Sequence, residues 1–185
     1  EKYDVETWAP AADADAIAVC RFSSWDSSHD VGQGGFDDPV DVVERLEAHG
    51  ASVRLSSEVD LPAALDPYRL DVAPERMHDL LYHADLALCE GATTAAESAL
   101  LATPAVYVNS LSLGYIDELA AHDLLYQYNG PARHERGLER ATHLLERDVG
   151  DLWRRRRDAL LAETRDPASV VVDQVLRAGG AAQVR

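Results

Sequence analysis

Short, mostly apolar runs alternate with longer amphipathic stretches along nearly the whole chain. An apolar run of four to eight residues bounded by turn residues is typical of a buried strand, whereas apolar positions three or four residues apart indicate a helix. Strands that alternate with helices favour a doubly wound α/β domain with a parallel sheet. The pattern therefore predicts a Rossmann-like domain with helices on both faces of the sheet. The predicted strands are 16–22, 51–56, 86–89, 105–108 and 124–128.

Helix boundaries follow from proline and acidic residues at the starts and from glycine after the ends. A short additional strand is predicted around 68–70, and the Gly/Ala tail is expected to be frayed. The predicted helices are 39–48, 74–84, 92–102, one starting within 114–118, 133–146, 151–163 and 168–178.

The stretch from 83 to 108 combines strand, glycine turn, helix and second strand. A helix that starts at Gly91, Ala92, Thr93 and Thr94 offers free backbone N–H groups, two hydroxyls and the positive end of a helix dipole. These groups favour a phosphate or diphosphate site. The alternative interpretation is an ordinary βαβ turn in which Thr93 or Thr94 only caps the helix.

The loop after the first strand is long and carries the second set of candidate groups. Its glycines, including Gly34 and Gly35, allow close backbone approach. His29 with Asp26 and Asp30 forms the candidate catalytic set, because a carboxylate can orient an imidazole for acid–base chemistry. The alternative is that these three residues only fix the loop through side-chain hydrogen bonds to the backbone. The histidines on the helices, such as His78 and His134, have no partner acid at suitable spacing and are predicted to be structural or exposed.

Four polar loops follow the predicted strands, and parallel strands place such loops at one edge of the sheet. They are the loop 25–36, the segment before Pro74, the turn 90–94 and the loop 109–118. Their convergence predicts a compact ligand with a phosphate group and several hydroxyls.

The formal charge of −16 and the pI near 4.6 make nucleic acid an unfavourable partner. So many carboxylates beside a single lysine suit a halophilic, acidic-surfaced protein in a salty cytoplasm. No run is long enough for a transmembrane segment, and no signal peptide is visible, which predicts a cytoplasmic location. Cys20 and Cys89 are predicted to be buried thiols, and no metal site is expected. The arginine run 154–157 is interpreted as solvated and paired with carboxylates, with peripheral membrane contact as the alternative.

Residues 1–15 are polar and irregular, and the chain does not start with Met. They are interpreted as a linker from an absent N-terminal domain. Residues 16–185 would then form the single ligand-binding domain with its C-terminal helices.

The stretch 84–108 contains the segments Ala-Asp-Leu, Glu-Gly-Ala-Thr-Thr-Ala-Ala-Glu and Thr-Pro-Ala-Val. It resembles the nucleotide-binding half of GT-B glycosyltransferases and of the related UDP-N-acetylglucosamine 2-epimerases. The whole chain, including the loop Ser23–Phe36, looks like the C-terminal part of an uncharacterised, mostly archaeal, haloarchaeal-type family. The first-strand loop lacks the His-Arg-Arg-Glu-Asn pattern of true epimerases, which argues against epimerase activity.

The resemblance implies roles for individual residues. The start of the central helix, Gly91–Thr94, would meet the diphosphate of a nucleotide sugar, and Glu97 would take the ribose hydroxyls. Arg76 lies in the loop that would meet the base. Glu90 is ambiguous, because six residues separate it from Glu97, whereas seven separate the two glutamates of the retaining enzymes. Asn109, Ser110 and Tyr115 lie where the sugar would be.

The expected function is binding of a nucleoside-diphosphate sugar, UDP-sugar favoured, as the donor half of a glycosyltransferase-like enzyme. No further cofactor is expected. The acceptor site and base would come from the protein's own N-terminal GT-B domain, so this chain alone should bind nucleotide weakly and be inactive. An epimerase- or hydrolase-like protein and a non-catalytic binding module are the alternatives.

Overall fold

The computed structural model describes residues 14–25, 32–70 and 73–182. Five parallel strands form one sheet in the order β2-β1-β3-β4-β5. β3 and β4 are buried along their whole length, as expected for strands covered on both faces. The strands are β1 (Ala16–Phe22), β2 (Ala51–Ser57), β3 (Leu86–Cys89), β4 (Ala105–Val108) and β5 (Leu125–Tyr128).

The helices cover both faces of this sheet. α1 packs against α5 on one face, while α3 packs against α2 and α4 on the other. The Rossmann-like α/β fold predicted from the hydrophobic pattern is thereby confirmed. The helices are α1 (Pro39–Ala48), α2 (Met77–His83), α3 (Ala92–Leu100), α4 (Gly114–Ala121), α5 (Arg133–Leu145), α6 (Gly150–Glu163) and α7 (Pro167–Ala182), and 3₁₀ turns cover Ala63–Tyr68 and Pro74–Arg76.

Residues next to α1 in the sequence determine where this helix begins and ends. The Asp38 carboxylate caps the helix by accepting hydrogen bonds from the N–H groups of Val40 and Asp41, and Pro39 occupies the first turn. Gly50 follows the helix with φ of +79°, a conformation that favours glycine. Both ends of α1 were therefore predictable from the sequence.

Two predicted helix ends and one predicted strand were wrong. α3 stops at Leu100, because Ala102 has φ of 66° and turns the chain out of the helix toward β4. Segment 68–70 is not a strand: a 3₁₀ turn precedes it, and Arg69 makes only an isolated bridge with Leu55. The last helix, α7, continues to Ala182 and does not end at 178 as predicted.

Two smaller predictions concern the cysteines and membrane-spanning segments. Cys20 and Cys89 are buried free thiols, and burial raises the pKa of Cys89 to about 12. None of the helices in the described ranges has the length and apolar character needed to cross a membrane.

β1 and β3 are neighbours, but the chain leaves their carboxyl ends in opposite directions along the sheet. In open parallel sheets this switch point creates a crevice, and ligands bind there. The residues that follow β1 and β3 are therefore the natural walls of a binding site.

Candidate functional site

Glu90 directly follows β3, and its carboxylate is buried at the switch point, with the residue only 4% exposed. Oε2 accepts a hydrogen bond of 2.8 Å from the Ser23 N–H, and Oε1 accepts one of 2.8 Å from the Phe36 N–H. Burial raises the pKa of Glu90, while these two N–H donors and the Trp25 side chain oppose that rise. Glu90 thus holds both ends of the long loop after β1 against the end of β3.

Gly35 lies directly against this carboxylate. A Cβ on Gly35 would collide with Oε1 of Glu90, so no larger residue fits without displacement. The Gly35 carbonyl accepts a hydrogen bond of 2.7 Å from Nε of Arg133, and the Arg133 guanidinium also lies 3.5 Å from the Asp37 carboxylate. The glycines predicted that the backbone approaches another group closely. At Gly35 that group is the Glu90 carboxylate of the same chain.

The loop after β4 is joined to the same cluster. Nδ2 of Asn109 donates to the Glu90 carbonyl at 2.8 Å, and its Oδ1 accepts from the Leu111 N–H at 2.8 Å. Ser110 and Gly34 exchange two bonds: the Gly34 N–H donates to Oγ of Ser110 at 2.9 Å, and the Ser110 N–H donates to the Gly34 carbonyl at 3.0 Å. Gly34, Gly35, Glu90, Asn109 and Ser110 are thus brought together at the carboxyl edge.

α3 begins beside this cluster with an open first turn. Gly91 is the N-cap residue, and within the described parts of the chain no side chain caps the helix. Thr93 is exposed, whereas Thr94 is buried. Neither threonine therefore caps the helix, contrary to that part of the alternative interpretation. The backbone N–H groups of the first turn can donate to a ligand oxygen, supported by the helix dipole.

Glu97 lies one turn further along α3. Its Oε1 is 3.3 Å from Nε2 of His78 on α2, and both side chains are at least one-third exposed. A carboxylate can accept two hydrogen bonds from vicinal hydroxyls, and Glu97 is accessible enough to do so. The prediction that His78 has no partner acid was wrong. Sequence spacing did not reveal the partner, because Glu97 lies on another helix.

Two predicted binding residues stand outside the hydrogen-bonded cluster. Nε of Arg76 pairs with Asp79 at 2.6 Å on the adjoining turn. Tyr115 is 47% exposed in the first turn of α4.

The candidate catalytic residues Asp26, His29 and Asp30 lie outside the described residues. Trp25, directly before them, has φ of 54°, a left-handed conformation that is uncommon for a bulky side chain. The acid–base role of the three residues stays a prediction.

His134 was predicted to be structural or exposed, and it is buried and structural, with a partner acid that spacing did not reveal. Its Nδ1 accepts from the Asp37 N–H at 3.2 Å, and Nε2 lies 2.9 Å from the Asp41 carboxylate. Asp41, His134 and Glu135 are close enough to hold a metal ion. The Arg45 guanidinium, however, pairs with Asp41 at 3.0 Å and with Glu135 at 2.9 Å, so an internal cation already neutralises both carboxylates.

Sequence reasoning also missed Arg133, which joins the glycine loop to α5. Its only sequence signal is its position as the first residue of α5, the helix that follows β5 and must start at the carboxyl edge. Its partner is a backbone carbonyl 98 residues away, and no local pattern encodes such a contact.

No protein-family model and no curated protein matches the chain. Solved structures do match. The spinosyn rhamnosyltransferase SpnG complexed with spinosyn aglycone aligns with a TM-score of 0.54 and 17% identity over 89% of this chain and 46% of that chain. A second SpnG structure gives a TM-score of 0.52 and 15% identity over 87% of this chain and 45% of that chain. At this identity the match shows the fold alone.

The chain therefore has a GT-B glycosyltransferase-like fold and spans less than half the length of these structures. The resemblance to an archaeal family and to epimerases is untested by these matches and stays a prediction.

Proposed function

We propose that the chain binds a nucleoside-diphosphate sugar, with a UDP-sugar favoured, as the donor half of a glycosyltransferase-like protein. The observation that carries this proposal is the uncapped start of α3, which lies at the switch point of a parallel sheet. The similarity in fold to a rhamnosyltransferase supports it at the level of architecture.

In this proposal the diphosphate lies against the first turn of α3. The N–H groups of Ala92 and Thr93, the exposed Thr93 hydroxyl and the helix dipole stabilise its negative charge. The same groups stabilise the nucleoside diphosphate as it leaves during transfer, because negative charge develops on it in the transition state. Glu97 accepts hydrogen bonds from the two ribose hydroxyls.

Glu90 has a supporting role here. Both of its carboxylate oxygens already accept backbone hydrogen bonds, so its side chain shapes the crevice rather than transferring a proton. The acceptor site and the remaining catalytic groups then come from the other half of a GT-B protein. On its own, the chain binds the donor weakly and does not turn it over.

The two backbone hydrogen bonds to the Glu90 carboxylate also support a second candidate, a non-catalytic binding module. Glu90 is the one buried carboxylate of the described site, and these bonds use it to hold the loop. Product analysis of the full-length protein with a labelled nucleotide sugar separates the candidates. Transfer to an acceptor supports the glycosyltransferase, a free or inverted sugar indicates a hydrolase or epimerase, and unchanged donor indicates a binding module.

Isothermal calorimetry with UDP, UDP-N-acetylglucosamine and GDP tests the binding proposal. The wild-type chain should give saturable binding of the two uracil nucleotides, and Glu97→Ala should weaken it at least tenfold through loss of the ribose contacts. Glu163→Ala, which removes an exposed carboxylate from the end of α6, is the matched control and should leave the affinity within twofold. Absence of saturable binding by wild type would contradict the proposal, and equal affinities of the two variants would contradict the ribose assignment.

A further inference from the structure

α5 carries two arginines that lie over tyrosine rings of the edge strand β5. Cζ of Arg140 is 4.3 Å from the Tyr126 ring centroid, and Cζ of Arg136 is 5.2 Å from the Tyr128 ring centroid. Nε of Arg140 also donates to Oη of Tyr128 at 3.2 Å. We call these four residues the Arg/Tyr surface.

A concavity of about 350 Å³ opens on this surface, lined by Tyr128, Arg136, Glu139, Arg140 and His143. Stacking on a ring fixes the plane of a guanidinium and leaves its in-plane N–H groups available to other partners. The concavity therefore presents two oriented guanidinium groups and an imidazole beside a single carboxylate.

The arginines of this surface differ from many others in the fold. Arg21, Arg45 and Arg133 each lie within 4.0 Å of a carboxylate. Within the ranges that the structure describes, neither Arg136 nor Arg140 has such a partner, although the chain has 33 acidic and only 17 basic residues. Two adjacent arginines with only the Glu139 carboxylate nearby, and no carboxylate within ion-pair distance among the described residues, are unexpected on so acidic a protein, and a negatively charged ligand would supply further negative charge.

We propose that the Arg/Tyr surface binds a phosphate-bearing ligand. Planar guanidinium groups form paired hydrogen bonds with phosphate oxygens, and two of them side by side match a phosphate or diphosphate. The phosphate belongs either to a free metabolite or to a phospholipid headgroup. This site is separate from the proposed nucleotide site, because α5 and α3 lie on opposite faces of the sheet.

Titration of the isotope-labelled chain with inorganic pyrophosphate tests the proposal with site resolution. The Nε–H signals of Arg136 and Arg140 should shift with saturation. The double variant Arg136→Gln/Arg140→Gln should bind pyrophosphate at this site at least tenfold more weakly than wild type. Arg136→Gln alone, at an exposed position, should lose a clear part of the affinity for pyrophosphate. Arg155→Gln removes an exposed arginine that lies over no ring of the described residues, and as the matched control it should stay within twofold of wild type.

Cosedimentation with phosphatidylcholine vesicles, with and without phosphatidylglycerol, distinguishes the source of the phosphate. Pyrophosphate binding that the double variant loses supports a free ligand. Vesicle binding that requires phosphatidylglycerol and is lost in the double variant, but not in Arg155→Gln, supports a headgroup. The proposal is overturned if neither probe binds, if Arg155→Gln loses as much as the double variant, or if pyrophosphate shifts only the signals of residues 91–94. That last result would still support the nucleotide site.

Discussion

At the scale of single residues, the Glu90 carboxylate organises the carboxyl edge of the sheet. It accepts hydrogen bonds from backbone groups at both ends of the long loop, while its own carbonyl accepts a bond from Asn109. A buried group with such partners is costly to alter, because any donor or acceptor left behind cannot bind water instead. The shape of the crevice therefore depends on one side chain.

Replacing Glu90 with glutamine should destabilise the fold. The new NH₂ group would face a backbone N–H of Ser23 or Phe36, which leaves a buried donor without an acceptor. We expect a loss of about 1–3 kcal/mol in the free energy of unfolding, measured by urea denaturation. Glu163→Gln, at an exposed position, is the control, and equal midpoints for the two variants would contradict the role assigned to Glu90.

Gly35→Ala should destabilise the fold by a different route. The added Cβ would collide with the Glu90 carboxylate, so either the loop or the carboxylate must move. Overpacking of this kind costs about 1–3 kcal/mol. Gly114→Ala, where an added Cβ meets no atom of the described residues within 4 Å, should have little effect on the melting temperature, and a similar drop in both variants would count against this contact.

The residues of this cluster were partly predictable. Gly34 and Gly35 pointed to close approach, and Asn109 and Ser110 followed a predicted strand, so their place at the edge followed from topology. Their partners were not predictable: Glu90 contacts backbone groups 67 and 54 residues away, and only the folded chain brings them together.

At the scale of elements, α1 and α5 are joined by a network centred on Arg45. The guanidinium bonds to Asp41 on α1 and to Glu135 on α5, and His134 adds a further contact with Asp41. Burial alone would raise the pKa of Asp41, but the hydrogen bonds from Arg45 and His134 outweigh it and lower that pKa. The hydrogen bond from Arg45 likewise lowers the pKa of Glu135.

Two carboxyls with lowered pKa values stabilise the folded state above their unfolded pKa values, which are roughly 4. This contribution is lost as the pH falls through the folded values. Arg45→Gln should therefore be less stable than wild type at pH 7, and the difference should narrow below about pH 4. Thermal melts from pH 7 to pH 3 measure it, with Arg155→Gln as the control. A difference that stays constant across this range would contradict the network.

Element boundaries were predictable where capping is local and not where it depends on distant packing. Asp38, Pro39 and Gly50 mark both ends of α1 within the sequence itself. The end of α3 depends on the left-handed conformation of Ala102, which no residue preference signals. Segment 68–70 has the composition of a strand, but only one bridge to β2 forms.

At the scale of the whole molecule, a charge of −16 opposes compaction. We expect the melting temperature to rise as KCl increases from 0.1 to 1 M, because the screening length falls from about 10 Å to about 3 Å. If screening is the cause, most of the rise in melting temperature should occur between these two KCl concentrations. A melting temperature that does not change with KCl would contradict the halophilic interpretation.

The fold as a whole was predictable because each strand is encoded by its own apolar run, and parallel strands with intervening helices have few permitted arrangements. Only the location of the candidate site was predictable from the sequence. Parallel topology brings the loops to one edge, but the ligand depends on side-chain geometry that sequence spacing does not encode, as the His78–Glu97 pair between α2 and α3 shows.

Binding of a nucleoside diphosphate at the first turn of α3 underlies the proposed function. A titration of the ¹⁵N-labelled chain with UDP, followed through backbone amide signals, tests this binding. We expect saturable shifts that are largest at Ala92, Thr93 and Thr94 and extend to Glu97. Saturation with no shift at these four residues, or with shifts confined to the opposite face of the sheet, would contradict it.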